Sequence, residues 1–141
     1  MLVAVVGVAL GVFWVAQGYN LGAELGVGGL SVTQASVQAE AGQITLVDIR
    51  RPDEWAATGV PENALLLDLR QDNFSGALLA HLQGDMRRPV ALICARGVRS
   101  AQVAADLRQI GFSRVLDVPE GMLGSGAGVG WIEQGLPLRQ P

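Results

Sequence analysis

Lysine is missing from this chain: all ten basic residues are arginine, set against thirteen acidic ones for a net charge of −3. Each basic side chain therefore stays charged at any working pH. The mild acidity argues against a nucleic-acid surface, which would need a clustered basic face. Cysteine is nearly missing too, Cys94 being the only one. An intramolecular disulfide is thereby excluded, and one Cys with one His cannot supply the four ligands of a structural zinc site. A lone cysteine is either an inert buried residue or a reactive thiol, and composition by itself favours the first. Charge is absent from the start of the chain, where the first charged side chain is Glu24 and the first basic one is Arg50.

What fills that uncharged start is apolar. Residues 1–16 contain no polar side chain, and 1–21 reach the ~20 residues a bilayer-spanning helix needs. Trp14 and Tyr19 suit the membrane interface. The expectation is a single-pass N-terminal membrane anchor over 1–21. The alternatives are an export signal delivering the domain to the periplasm, which lacks the usual positive n-region, and a buried core helix. Gly7 and Gly11 form a G-x-x-x-G pair, which glycine's general frequency in membrane helices explains without a dimer. Gly18, Gly22, Gly26, Gly28 and Gly29 then mark a flexible linker over 22–29, and one domain over 30–141, long enough to bury its own core.

Within that domain, strand and helix signals alternate. Ser31 and Gln34 form a capping box for a helix over 32–40, ended by Gly42. Residues 44–49 are a β-branched apolar run, the mark of a buried strand. Pro52, with Asp53 and Glu54, opens a short helix that Gly59 and Pro61 stop. A strand follows over 64–67, then a helix over 75–83, then a strand over 90–93 that delivers Cys94. Ser100 begins a helix with Val103, Leu107 and Ile110 on one face and Gly111 as its stop, and Val115 and Leu116 make a last strand. The pattern predicts an α/β fold: a small, mostly parallel sheet flanked by helices on both faces and preceded by an N-terminal apolar helix. Ligands in such sheets bind outside the carboxyl ends of the strands, where Cys94 stands.

The segment Cys94-Ala95-Arg96-Gly97-Val98-Arg99-Ser100 suits a reactive sulfur. A short strand-to-helix turn aims backbone N–H groups inward, the helix adds its positive end, and Arg96 and Arg99 add formal charge. All of these favour thiolate over thiol, and thiolate is the nucleophilic form. Gly97 permits a turn that a side chain would oppose.

This segment resembles the active-site loop of the rhodanese-type sulfurtransferases, C-x-x-G-x-R/T-S/T. Val47-Asp48-Ile49-Arg50 with Glu54 and Trp55 resembles that family's V-D-[VI]-R…E-[FW]. Residues Gly59 to Ala64 resemble its G-H-I-P-G-A, and Gly121, Trp131 and Gly135-Leu136-Pro137 its G-G…W…G-L-P. The match runs in order over about residues 30–138. Departures are Val60 for His, Asn63 for Gly, Glu120 for the first Gly of the tail pair, and a glycine-rich insert over 123–130.

The resemblance implies a sulfurtransferase that moves sulfane sulfur through a Cys94 persulfide. The donor is a small anion such as thiosulfate, the acceptor a thiol or cyanide, and neither metal nor cofactor takes part. Arg96, Gly97, Arg99 and Ser100 are the expected substrate-binding residues, with Asp48 and Arg50 as supports and Glu54 paired with an arginine. Trp55 is expected in the core and His81 on an exposed helix face. A non-catalytic rhodanese-fold partner-binding module is the alternative, and a Cys-dependent phosphatase or arsenate reductase a further one. Phosphatases of similar fold carry a C-x5-R loop, one residue longer than the C-x4-R of Cys94 to Arg99.

Overall fold

The computed structural model describes residues 20, 23–26 and 28–141. The apolar helix expected over 1–21 lies outside the described residues, Asn20 apart. Among those described, no helix is long and apolar enough to cross a membrane.

In chain order the elements are α1 (Val32–Glu40), β1 (Thr45–Asp48), α2 (Pro52–Thr58), β2 (Val60–Pro61), β3 (Leu65–Leu66), α3 (Phe74–His81), β4 (Val90–Ile93), α4 (Val98–Gln109), β5 (Val115–Asp117) and β6 (Leu138–Arg139). Strands β3, β1, β4 and β5 lie side by side in that order, every pair parallel. β4 is central and all four of its residues are buried, as a strand covered on both faces requires. The short pair β2 and β6 is antiparallel and separate.

Each face of the sheet has its own apolar layer. Val47, Leu92 and Cys94 face Leu78 and Leu82 of the α3 region and Val103, Ala104 and Leu107 of α4. Leu46, Ala91 and Ile93 face Val32 and Ala35 of α1 together with Met122 and Trp131. The period-2 alternation of a strand produces this division directly. The expected capping box of α1 is present, with Ser31 and Gln34 bonded reciprocally.

Three expectations need correction. Trp55 is only half-buried, and Trp131 fills the core instead. The helix expected from Ser100 begins at Val98, with Gly97 as its N-cap in the left-handed region (φ 82°). That cap uses no side chain, and Ser100 drops into the first turn, fully buried. The end of the expected linker is also structured: the Leu30 N–H donates to the Asp117 carbonyl, and the Asp117 N–H donates to that of Gly28.

β1 is followed by β3 on one side and flanked by β4 on the other. The order in which strands are added therefore reverses between β1 and β4, and at such a switch point open α/β sheets place their ligand crevice, outside the carboxyl ends of the strands. Asp48 ends β1 and Cys94 follows β4, so both motifs reach the same crevice.

Candidate active site

Cys94 leaves β4 with its side chain 1 % exposed and its backbone fixed. Its carbonyl accepts from the Met122 N–H at 2.9 Å, and the Ala95 carbonyl accepts from the Leu123 N–H at 2.9 Å. The chain then turns through Gly97, whose N–H donates to Cys94 Sγ at 3.2 Å. The Cys94 thiol and the Ser100 hydroxyl lie 3.4 Å apart. The first N–H groups of any helix have no intrahelical acceptor, so the start of α4 brings further donors to this rim. Gly97 is obligatory for two reasons: its positive φ, and a Cβ there would fall 2.3 Å from the Pro119 carbonyl oxygen. Gly121 is the reciprocal case, since its Cβ would fall 2.4 Å from the Ala95 carbonyl oxygen. The turn after β4 and the turn after β5 are thus interlocked backbone against backbone.

The arginines of the loop are each engaged by other groups. Both terminal nitrogens of Arg99 bind Glu54, at 2.8 and 2.7 Å, tying α4 to α2. Glu54 also accepts from the Arg51 N–H at 3.0 Å. The Arg99 pair, against the opposing effect of burial, holds the Glu54 carboxyl down at about 2. Glu54 in turn raises Arg99, with a smaller push in the same direction from the charge of Cys94. Arg96 donates to the carbonyls of Leu123 and Gly124, at 3.3 and 3.0 Å. Its own carbonyl accepts from the Asn20 amide at 2.6 Å. Beyond Arg96 opens a groove of about 440 Å³ between Leu123, Val129 and Glu133, which does not include Cys94.

Asp48 and Arg50 form the buried support. Their side chains meet at 2.8 Å, and Arg50 also donates to the Thr58 hydroxyl and the Gly59 carbonyl. Every lone pair and N–H so bonded lowers the cost of burying the two charges. The pair fixes the exit of β1 to the exit of α2, beside the crevice, and makes no bond to Cys94. His81 is exposed on α3, as expected.

Two acidic residues near the site are not among the site residues expected from the sequence. Glu120, standing where the resembling motif has Gly, accepts from the Val32 N–H at the start of α1. Its other oxygen faces Gly128, where a Cβ would lie 3.1 Å away. The glycine-rich insert is thus shaped around this carboxylate, which burial pushes up against the Val32 bond. Asp117 ends β5 with Oδ1 buried and without a hydrogen-bond partner. Burial raises its carboxyl, opposed by the Ser100 hydroxyl, the Val118 N–H and the charge of Arg108. A reading of strand registers would have found Asp117; its local sequence gives no hint.

Comparison with known proteins agrees with this geometry. A family model described as rhodanese-like domain matches residues 31–125. A sulfurtransferase of Allochromatium vinosum is 33 % identical over 103 residues, covering 73 % of this chain and 85 % of the relative. Among solved structures, the polysulfide-sulfur transferase homodimer of Wolinella succinogenes superposes with a TM-score of 0.60 at 32 % identity, over 78 % of this chain and 76 % of that one. The rhodanese-like domain of an Anabaena protein reaches a TM-score of 0.64 at 17 % identity, over 81 % of this chain and 80 % of that one, a likeness of fold alone.

Proposed function

This chain belongs to the rhodanese-like domain family, and from that premise we propose that it is a sulfurtransferase working through a persulfide on Cys94. The observation that carries the proposal is the cradle itself: a lone thiol at a strand end, with the Gly97 N–H 3.2 Å and the Ser100 hydroxyl 3.4 Å from its sulfur. The fixed Gly97 N–H, with a Ser100 hydroxyl that accepts from the thiol and can turn its proton towards a thiolate, favours the anionic forms of the sulfur, both the attacking thiolate and the persulfide. The relative from Allochromatium vinosum, a sulfurtransferase, supports the same reaction class.

The reaction is a double displacement. The Cys94 thiolate attacks the outer sulfur of thiosulfate; the S–S bond of the donor breaks and sulfite leaves with the electron pair. Cys94 then carries one extra sulfur as an anionic persulfide. A thiolate or cyanide attacks that outer sulfur, the Cys94 S–S bond breaks, and the Cys94 thiolate is regenerated. No redox partner or cofactor enters this balance. The narrow, buried cradle suits a donor that presents a single sulfur atom at its tip.

A phosphatase is disfavoured on a physical ground. Surrounding a phosphate needs a loop guanidinium turned to the anion, and both terminal nitrogens of Arg99 are bonded to Glu54. A purely binding role leaves the intact thiol and its donors without a purpose.

The test is incubation of the full chain with thiosulfate followed by intact-mass measurement. One added sulfur on Cys94, absent from Cys94→Ser and released as thiocyanate by cyanide, is the expected result. No adduct and no thiocyanate would overturn the proposal.

A further inference from the structure

An apolar surface lies beside the point where the chain's uncharged start joins the domain. Leu123 and Val129 are 42 % and 45 % exposed, and both line the groove of about 440 Å³ beside Arg96. Upstream of the described residues, 1–16 carry no polar side chain. Asn20, the first described residue, fixes where that run meets the domain. Its amide donates to the Arg96 carbonyl at 2.6 Å. Its carbonyl accepts from the Gly126 N–H at 2.9 Å and from the Ala23 N–H at 3.0 Å. Asn20 is therefore bonded both to the turn that follows Cys94 and to the arm that carries Leu123 and Val129. A loose tether would let any face of the domain turn towards whatever holds the apolar run. Pinned at Asn20, the run joins the domain at the rim of the groove.

We propose that this rim is a membrane-docking face: residues 1–19 enter a lipid bilayer, and Leu123 and Val129 rest in its interfacial layer. Two occupants compete for an exposed apolar groove next to an apolar segment, the segment itself and a lipid surface. Size decides between them. A cavity of about 440 Å³ has room for one small ligand and cannot bury the side chains of the whole run 1–16. Length points the same way, since residues 1–19 approach the ~20 that cross a hydrocarbon core. Trp14 and Tyr19 stand at the domain end of that stretch, and such side chains favour the membrane–water boundary. Tyr19 directly precedes Asn20, so the boundary and the rim of the groove coincide. Charge sets the kind of attraction. The net charge is −3 and no basic residue precedes Arg50, so docking is apolar and needs no anionic lipid. The charged residues that line the groove, Arg96 and Glu133, are one of each sign.

The proposal is independent of the chemistry at Cys94, and its test removes that thiol. In the full chain carrying Cys94→Ser, a single cysteine is placed by Leu123→Cys, Val129→Cys or Gln43→Cys and labelled with an environment-sensitive fluorophore. Gln43 is exposed and precedes β1, at the end of the sheet away from Cys94. Each chain is reconstituted in phosphatidylcholine vesicles and quenched from two sides, by a doxyl-labelled lipid in the bilayer and by iodide in the water. The doxyl lipid should dim the labels at positions 123 and 129 about twofold and leave that at position 43 unchanged, at low and high salt alike. Iodide should act in the reverse order. Doxyl quenching that is equal at all three positions overturns the docking face, as does a label at position 129 as open to iodide as that at position 43. A label at position 129 shielded from both quenchers means that the apolar segment or a second copy covers the groove, which also overturns it. So does a full chain that fails to float with the vesicles.

Discussion

The turns that follow β4 and β5 are neighbours at the same end of the sheet, and they are built on different principles. The turn after β4 is short, buried and fixed by sterics: Gly97 and Gly121 allow two backbones to approach where any Cβ would collide. The stretch after β5 runs on into an arm with exposed apolar residues, Leu123 and Val129. That arm is held in part by side-chain bonds, from Arg96 to its carbonyls and from the Ser125 hydroxyl to Pro119, and in part by its own glycine packing, since a Cβ at Gly130 would fall 2.2 Å from the Gly124 nitrogen. The thiol cradle is thus shaped by backbone contact alone, whereas the rim around it owes part of its shape to side chains. Two of the departures from the motif pattern, Glu120 and the glycine-rich insert, lie on the arm; Val60 and Asn63 lie at and after β2, and the cradle has none.

The contrast can be broken in order of expected effect. Cys94→Ser should remove sulfur uptake entirely while leaving thermal unfolding within a degree or two, since it changes one buried atom. Gly121→Ala should cost about 3 kcal/mol or more, because a left-handed backbone and a backbone collision are imposed together. Denaturant unfolding measures that loss, and thiosulfate labelling should fall with it. Glu54→Gln should cost ~1 kcal/mol at neutral pH, the value of a partly exposed, bidentate pair. The sign of its pH dependence follows from Glu54 being lowered from 4.5 to about 2 in the fold. The stabilisation is complete above the unfolded value and is lost as pH falls from about 4.5 towards 2. Melting temperatures across that range should drop less steeply in Glu54→Gln than in the native chain. The smallest effect belongs to the arm: Glu120→Gln keeps an acceptor for the Val32 N–H and should change stability by less than ~1 kcal/mol. If Glu120→Gln abolished sulfur transfer instead, the rim would prove as constrained as the cradle.

The sequence exposes the frame of this site because the frame is written in local rules. Apolar runs announce β1 and β4, capping residues announce α1, and Cys94 falls at a strand end. The start of α4 was hidden because Gly97 caps it through backbone conformation, which leaves no capping side chain to read. Ser100, which resembles an N-cap in sequence, thereby became a buried partner of the thiol. Trp55 and Trp131 could not be ranked from sequence, since which of them reaches the core depends on the path of the tail past Met122. The pairing of β2 with β6 joins residues far apart in the chain through two-residue strands that have no periodicity to detect. Asp117 escaped notice for a related reason: its face is defined only once β5 is in register with β4.

The short parallel contact of Gly28 to Leu30 with Asp117 has a consequence for the exterior of the sheet. β5 is the outermost strand on its side, and a bare outermost strand is a template for pairing with another chain. Here the chain's own upstream stretch occupies that template with two backbone bonds. It does so at the end of the strand nearest Cys94. A foreign strand would have to peel this stretch away before it could add to the sheet.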